Sequence, residues 1–160
     1  MGCGPVGRAL LTSILLCLSG AAHADETIGS IGYEGRNGVY GAQGTAELFR
    51  MLGRLGRLEY GVGGAVLLAE GGGHWAGAGG IARIDLGRGF FADVTLMPGL
   101  QAVGERDLGG PVEFRSLLGI GREVAPGQRV SVAVSHRSNA RLYEENPGVE
   151  AISLRYGREF

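Results

Sequence analysis

The feature that most constrains this chain is a succession of short segments in which apolar residues alternate with polar or small ones, each closed by a turn signal. Alternation at a period of two puts one set of side chains on each face of a strand. Strands are read on this basis at about 26–36, 39–50, 57–70, 76–86, 90–103, 112–124, 128–139 and 149–160. In 128–139, Val130, Val132 and Val134 share one face, and Arg129, Ser131 and Ser135 the other. In 149–160, Ile152, Leu154, Tyr156 and Phe160 oppose Ser153, Arg155, Gly157 and Glu159. Glycine supplies much of the punctuation: 28 of its 32 copies lie beyond residue 24, without the three-residue period of a collagen-like chain.

Arg8, an apolar run from Ala9 to Leu18 and the small-residue signal Ala22-His23-Ala24 read as a secretory signal peptide over 1–24, with cleavage expected before Asp25. The run is about half of what a spanning helix needs, and no later stretch reaches the roughly 18 apolar residues required. A lipoprotein signal wants a small residue before Cys17, where Leu16 stands. Membrane embedding therefore falls to strands. Both cysteines, Cys3 and Cys17, lie in the leader, so disulfides and thiolate chemistry are unavailable to residues 25–160. Lysine is absent, and a formal net charge of −1 offers no basic field for nucleic acid. Only His74 and His136 lie beyond the leader, with no paired-His spacing, so neither metal nor cofactor is expected.

The breaks between strands sort by length. Asn37-Gly38 reads as a type I′ hairpin turn, and Gly87-Arg88-Gly89 and Ala125-Pro126-Gly127 as tight connections, whereas 71–75, 104–111 and 140–148 are longer. With the first strand starting on the periplasmic side, the tight connections fall inside and the long ones outside, as in an outer-membrane barrel. The expectation is an all-β protein: an eight-stranded antiparallel transmembrane barrel over 25–160, with lipid outside and a small polar interior. The 51–56 break is long for an inner connection and leaves the register of strands two and three open. A soluble periplasmic β-sandwich would show the same alternation.

Among catalytic signatures, the chain has no Gly-x-Ser-x-Gly elbow, no His-Glu-x-x-His and no phosphate loop. What remains is a cluster near the end: His136, Ser138, Asn139, Asn146 and Glu150. His136 and Ser138, two apart on one strand, point to the same face at ~7 Å, from a rise of ~3.3 Å per residue. That face is the lipid face of Val130, Val132 and Val134, and Glu150 shares the face of Ile152 and Leu154. A hairpin with His136 opposite Glu150, turning near Tyr143, gathers the three outside the barrel. Ser138 would then attack an ester carbonyl, His136 act as base and Glu150 hold the imidazolium. Asn139, Asn146 or backbone N–H groups of 139–142 would supply oxyanion donors. The plainer reading is ordinary turn chemistry at a strand end, with Asn139, Asn146, Pro147 and Gly148 as loop formers.

The segment His136-x-Ser138-Asn139-Ala140, followed by Asn146 and by Glu150 fourteen residues after the histidine, resembles the lipid A 3-O-deacylase (PagL-type) family of outer-membrane barrels. Leu108-Gly109, Phe114 and Gly119-x-Gly121 look similar too, so the specific match covers roughly the last fifty residues. The resemblance implies an eight-stranded barrel that removes the 3-position acyl chain of lipid A, with His136, Ser138 and Glu150 catalytic and Asn139 and Asn146 shaping the site. It makes lipid A in the outer leaflet the partner and leaves open whether the barrel forms a homodimer. Arg141 departs from the family pattern, which has glycine there. The competing readings are a non-enzymatic envelope or adhesion barrel, and another lipid-modifying enzyme such as a phospholipase or acyltransferase.

Smaller signals have two readings each. Arg137 and Arg141 would pair with lipid phosphates or serve as lumen or loop charges. Trp75 suits the interfacial aromatic belt, and His74 a flexible outer loop. Tyr33, Tyr40, Tyr60 and Tyr156 are belt or core residues, and Glu144 and Glu145 are solvated.

Overall fold

A computed structural model of the protein describes residues 25–36, 39–70, 72–102 and 109–160. The expected signal peptide over 1–24 and the expected turn at Asn37-Gly38 lie outside these residues. Eight strands follow in order: β1 (Glu26–Arg36), β2 (Val39–Leu55), β3 (Leu58–Ala69), β4 (Trp75–Gly87), β5 (Phe90–Gln101), β6 (Val112–Ala125), β7 (Gln128–Ser138) and β8 (Val149–Glu159). Each pairs antiparallel with its neighbour, and β1 pairs with β8 to close a barrel. Closure leaves no row of unpaired backbone groups, which would cost several kcal/mol each in hydrocarbon.

The tight connections are built as their residues dictate. Gly56 and Arg57 link β2 to β3 with a positive φ at Gly56, a conformation glycine adopts without steric cost. Arg88 and Gly89, both at positive φ, link β4 to β5. Pro126 and Gly127, the latter at φ 68°, link β6 to β7, matching the Pro-then-Gly order of a type II turn. The expected break at 51–56 is corrected. β2 runs on to Leu55, and a bulge between Met51 and Gly53 leaves Leu52 without a partner. An extra residue on one strand switches the faces beyond it, so the alternation read from sequence failed there although the ladder continued.

The outer wall settles barrel against sandwich. Leu96 (60% exposed), Ile120 (60%) and Leu154 (58%) stand on it with Val130, Val132 and Val134. A belt of exposed aliphatic side chains on a sheet with no edges belongs in lipid. Tyr33, Tyr40, Tyr60 and Tyr156 also face outward.

The lumen is filled by more than small polar groups. Ile28, Phe49, Leu67, Trp75, Ile81 and Met97 form an apolar cluster inside. Beside it runs an ion-pair network: Glu47 between Arg115 and Arg155, Arg155 donating to both oxygens of Asp93 (2.9 and 3.0 Å), and Arg83 to both oxygens of Glu26 (3.0 and 2.8 Å). Trp75 is corrected from belt to interior. Gly77 and Gly99 pair across β4 and β5, and a Cβ on either would run into the indole ring; two missing side chains make the slot that the ring fills. Gly77→Leu is expected to cost about 1–3 kcal/mol through overpacking, seen as a lower urea midpoint for loss of the folded, heat-modifiable electrophoretic band. An unchanged midpoint would mean that the ring has another place to go.

Candidate active site

The seventh and eighth strands carry the site because of their register. His136 is directly opposite Glu150, as Val134 is opposite Ile152 and Val132 opposite Leu154. All these side chains therefore leave the same outer face, and Ser138, two residues beyond His136, stays with them. His136 Nδ1 lies 2.6 Å from Glu150 Oε1, and His136 Nε2 lies 3.0 Å from Ser138 Oγ. An ionised carboxylate only accepts, so Nδ1 carries the proton and Nε2 is left to accept from the serine hydroxyl. Glu150 and His136 are open on the outer wall (side chains 74% and 46% exposed), whereas Ser138 is 8% exposed at the strand end. Beside them is a shallow recess of about 250 Å³ lined by Val94, Ser116, Leu118, Val134, His136 and Glu150.

Beyond Ser138 the chain makes a turn, with Leu142 N–H donating to Asn139 O (3.0 Å). Its two central residues are non-glycines at positive φ, Ala140 at 52° and Arg141 at 64°. That conformation costs an L-residue roughly 1–2 kcal/mol, so surrounding bonds must hold it. Asn139, 0% exposed, does much of this. Its Nδ2 donates to Glu145 O (2.6 Å), its Oδ1 accepts from Arg141 N–H (2.9 Å), and its own N–H donates to Asn146 Oδ1 (3.0 Å). Asn139 and Asn146 thus tie the loop to itself. One proton of the Asn139 side-chain amide goes to a carbonyl inside the protein, and the residue is fully buried.

Some contributors to the site went unrecognised in the sequence. A Cβ on Gly148 would lie 2.7 Å from His136 Cε1, so the glycine opens the space in which the imidazole sits; in sequence it reads as half of a Pro-Gly turn. Gly109, at φ 89°, backs onto Glu145 and Asn139, and Gly110 lies under the Tyr143 ring. Tyr143 is consequently not at a free loop tip: its hydroxyl accepts from Val112 N–H at 3.4 Å. No sequence signal links these residues, which are some thirty positions apart. Arg137, in contrast, turns into the lumen, donating to Gly73 O (2.8 Å) and facing Glu34 (3.4 Å). It is a lumen charge and not a phosphate ligand. His74 is held by a hydrogen bond, its Nδ1 accepting from Ala69 N–H at 3.3 Å.

Fold and site together define a class: a small outer-membrane β-barrel carrying a hydrogen-bonded Ser-His-Glu chain on its lipid-facing wall. A family model described as lipid A 3-O-deacylase (PagL) matches residues 50–159, and the chain belongs to that family. The lipid A deacylase PagL of Pseudomonas aeruginosa is 43% identical over 54 residues, 34% of this chain and 31% of that protein. The PagL of Bordetella bronchiseptica is 32% identical over 56 residues, 35% of this chain and 32% of that protein. The matched stretch thus spans about a third of the length of these curated relatives. A crystal structure of the outer membrane enzyme PagL superposes with a TM-score of 0.70 at 23% identity, covering 84% of this chain and 99% of that one. Neisserial surface protein A gives 0.52 at 13% identity, covering 84% and 95%. At these identities the likeness is one of fold.

Proposed function

We propose that the protein hydrolyses the ester that holds the 3-position acyl chain of lipid A. The observation that carries this is the continuous chain Ser138 Oγ, His136 Nε2, His136 Nδ1, Glu150 Oε1, at 3.0 and 2.6 Å, on a wall that meets lipid tails. Family membership supports lipid A as the substrate.

Ser138 Oγ attacks the acyl carbonyl as its proton passes to His136 Nε2, and Glu150 stabilises the imidazolium through Nδ1. The tetrahedral intermediate collapses when His136 returns that proton to the departing sugar hydroxyl, leaving the acyl group on Ser138. Water, deprotonated by the same imidazole, then releases the fatty acid and restores the serine. Of the turn's N–H groups, those of Asn139, Arg141 and Leu142 donate within the protein, so the N–H of exposed Ala140 is the oxyanion donor in this mechanism. Asn139 and Asn146 shape this turn. The recess beside His136 is lined by aliphatic side chains suited to the acyl segment next to the ester.

Mass spectrometry of lipid A from cells with and without the gene tests the reading. Loss of one hydroxyacyl group in the expressing cells is expected. A gain of an acyl group would indicate transfer, and shortened phospholipids with intact lipid A would indicate a phospholipase. A second prediction concerns Gly148: replacement by valine is expected to tilt the imidazole and lower kcat by about 10²-fold, since an ångström of misplacement has that effect, with the barrel still folded. Full activity in Gly148→Val would mean that the ring position does not matter.

A further inference from the structure

We infer that Arg141 is a specificity residue that binds a phosphate group of the lipid substrate; this rests on the esterase reading above. Among the described side chains outside the lumen at the site's end of the barrel, it is the one arginine, since Arg115 and Arg137 are buried inside and bonded to acids there. Its guanidinium is exposed and makes no ion pair with any described residue, although Glu144 and Glu145 lie on the same loop.

The backbone gives the independent argument. Arg141 holds φ 64°, a conformation that suits glycine, three residues after Ser138. Glycine would sit there without strain, so nothing in the fold asks for a long charged side chain. Strained non-glycine residues persist where the surroundings enforce them, and they gather at ligand-binding positions. Here the enforcing bonds are those of Asn139, which fix the Arg141 N–H at 2.9 Å. The turn therefore projects one unpaired cation from a rigid base beside the nucleophile. A planar guanidinium binds phosphate through two parallel hydrogen bonds. Lipid A carries phosphate on the same glucosamine backbone that bears its ester-linked chains, so a phosphate accompanies an ester bound at Ser138.

Arg141→Gly is the decisive variant because it relieves the backbone while removing the charge. The full barrel in detergent micelles is assayed on bisphosphorylated lipid A and on a neutral p-nitrophenyl decanoate ester. The variant is expected to be at least as resistant to urea as the parent. On phosphorylated lipid its kcat/KM is expected to fall about tenfold, mostly through KM, with a weaker salt dependence of KM. Turnover of the neutral ester reports any loosening of the turn that carries the Ala140 N–H and is expected to fall much less than that of the phosphorylated lipid, and Arg141→Lys to recover only part of the loss. Equal turnover of phosphorylated lipid by parent and variant, or an equal loss on both substrates, overturns the phosphate role while leaving the esterase in place. Failure of the parent protein to hydrolyse either substrate overturns the reading on which it rests.

Discussion

Replacing Ser138 by alanine is expected to lower lipid A hydrolysis by on the order of 10⁴-fold or more while leaving the barrel folded. Catalytic groups acting as a unit behave in this way: removing the nucleophile leaves only the background contributed by binding and oxyanion donors. The substitution deletes a single oxygen at the end of β7, bonded to His136 Nε2 at 3.0 Å. His136→Ala should match it within about tenfold, because the hydroxyl without its base is a poor nucleophile. Glu150→Ala should be milder, since in the proposed mechanism the carboxylate stabilises charge and does not itself react. Purified variants assayed on lipid A in detergent, with folding followed by heat-modifiable mobility, check the whole series. Residual turnover by folded Ser138→Ala at more than a tenth of the parent rate would remove the serine from the mechanism.

Arg155→Met is expected to be the most damaging single change to stability, costing about 3–5 kcal/mol, the usual consequence of leaving buried charge uncompensated. Arg155 is 2% exposed, donates to Asp93 and to Glu47 from β8, and so links β5 and β2 across the lumen. Without it, among the described residues, Asp93 keeps only the 3.8 Å approach of Arg83, and Glu47 only Arg115. Arg158→Met, three residues along on the exposed outer face, serves as the control and should stay within about 0.5 kcal/mol. Urea titration of both in micelles gives the comparison. Similar midpoints would mean that the remaining partners, Arg83 for Asp93 and Arg115 for Glu47, suffice, and that Arg155 adds little to the network.

These two results probe different parts of one design. The lumen network and the Trp75 slot make the eight strands a rigid wall, and the wall carries the site on its outside because β7 and β8 pair His136 with Glu150. A one-residue slip of that pairing would send every side chain of one strand to the opposite face. It would part the imidazole from the carboxylate. Stability inside and geometry outside are thus coupled through register, and lumen variants that remain folded should retain their activity.

Much of this was legible in the residues themselves. Alternation and turn chemistry are local, so eight strands, the tight connections at 87–89 and 125–127 and the lipid-facing phase of Val130, Val132 and Val134 could be read directly. The spacing of His136, Ser138 and Glu150 also reported their shared face, because parity along paired strands needs no knowledge of the rest. Other features waited for the tertiary structure, each for a reason of packing. The bulge at Met51–Gly53 is set by the partner strand and not by the bulged residues alone. Trp75 went inside because glycines on two strands left room for it, and Arg137, turned inward by strand parity, found its partners Glu34 and Gly73 only in the folded lumen. The left-handed Ala140-Arg141 turn and its dependence on Asn139 arise from bonds across a folded loop. Periodicity in a sequence fixes which way a side chain points; only the closed barrel decides what it meets.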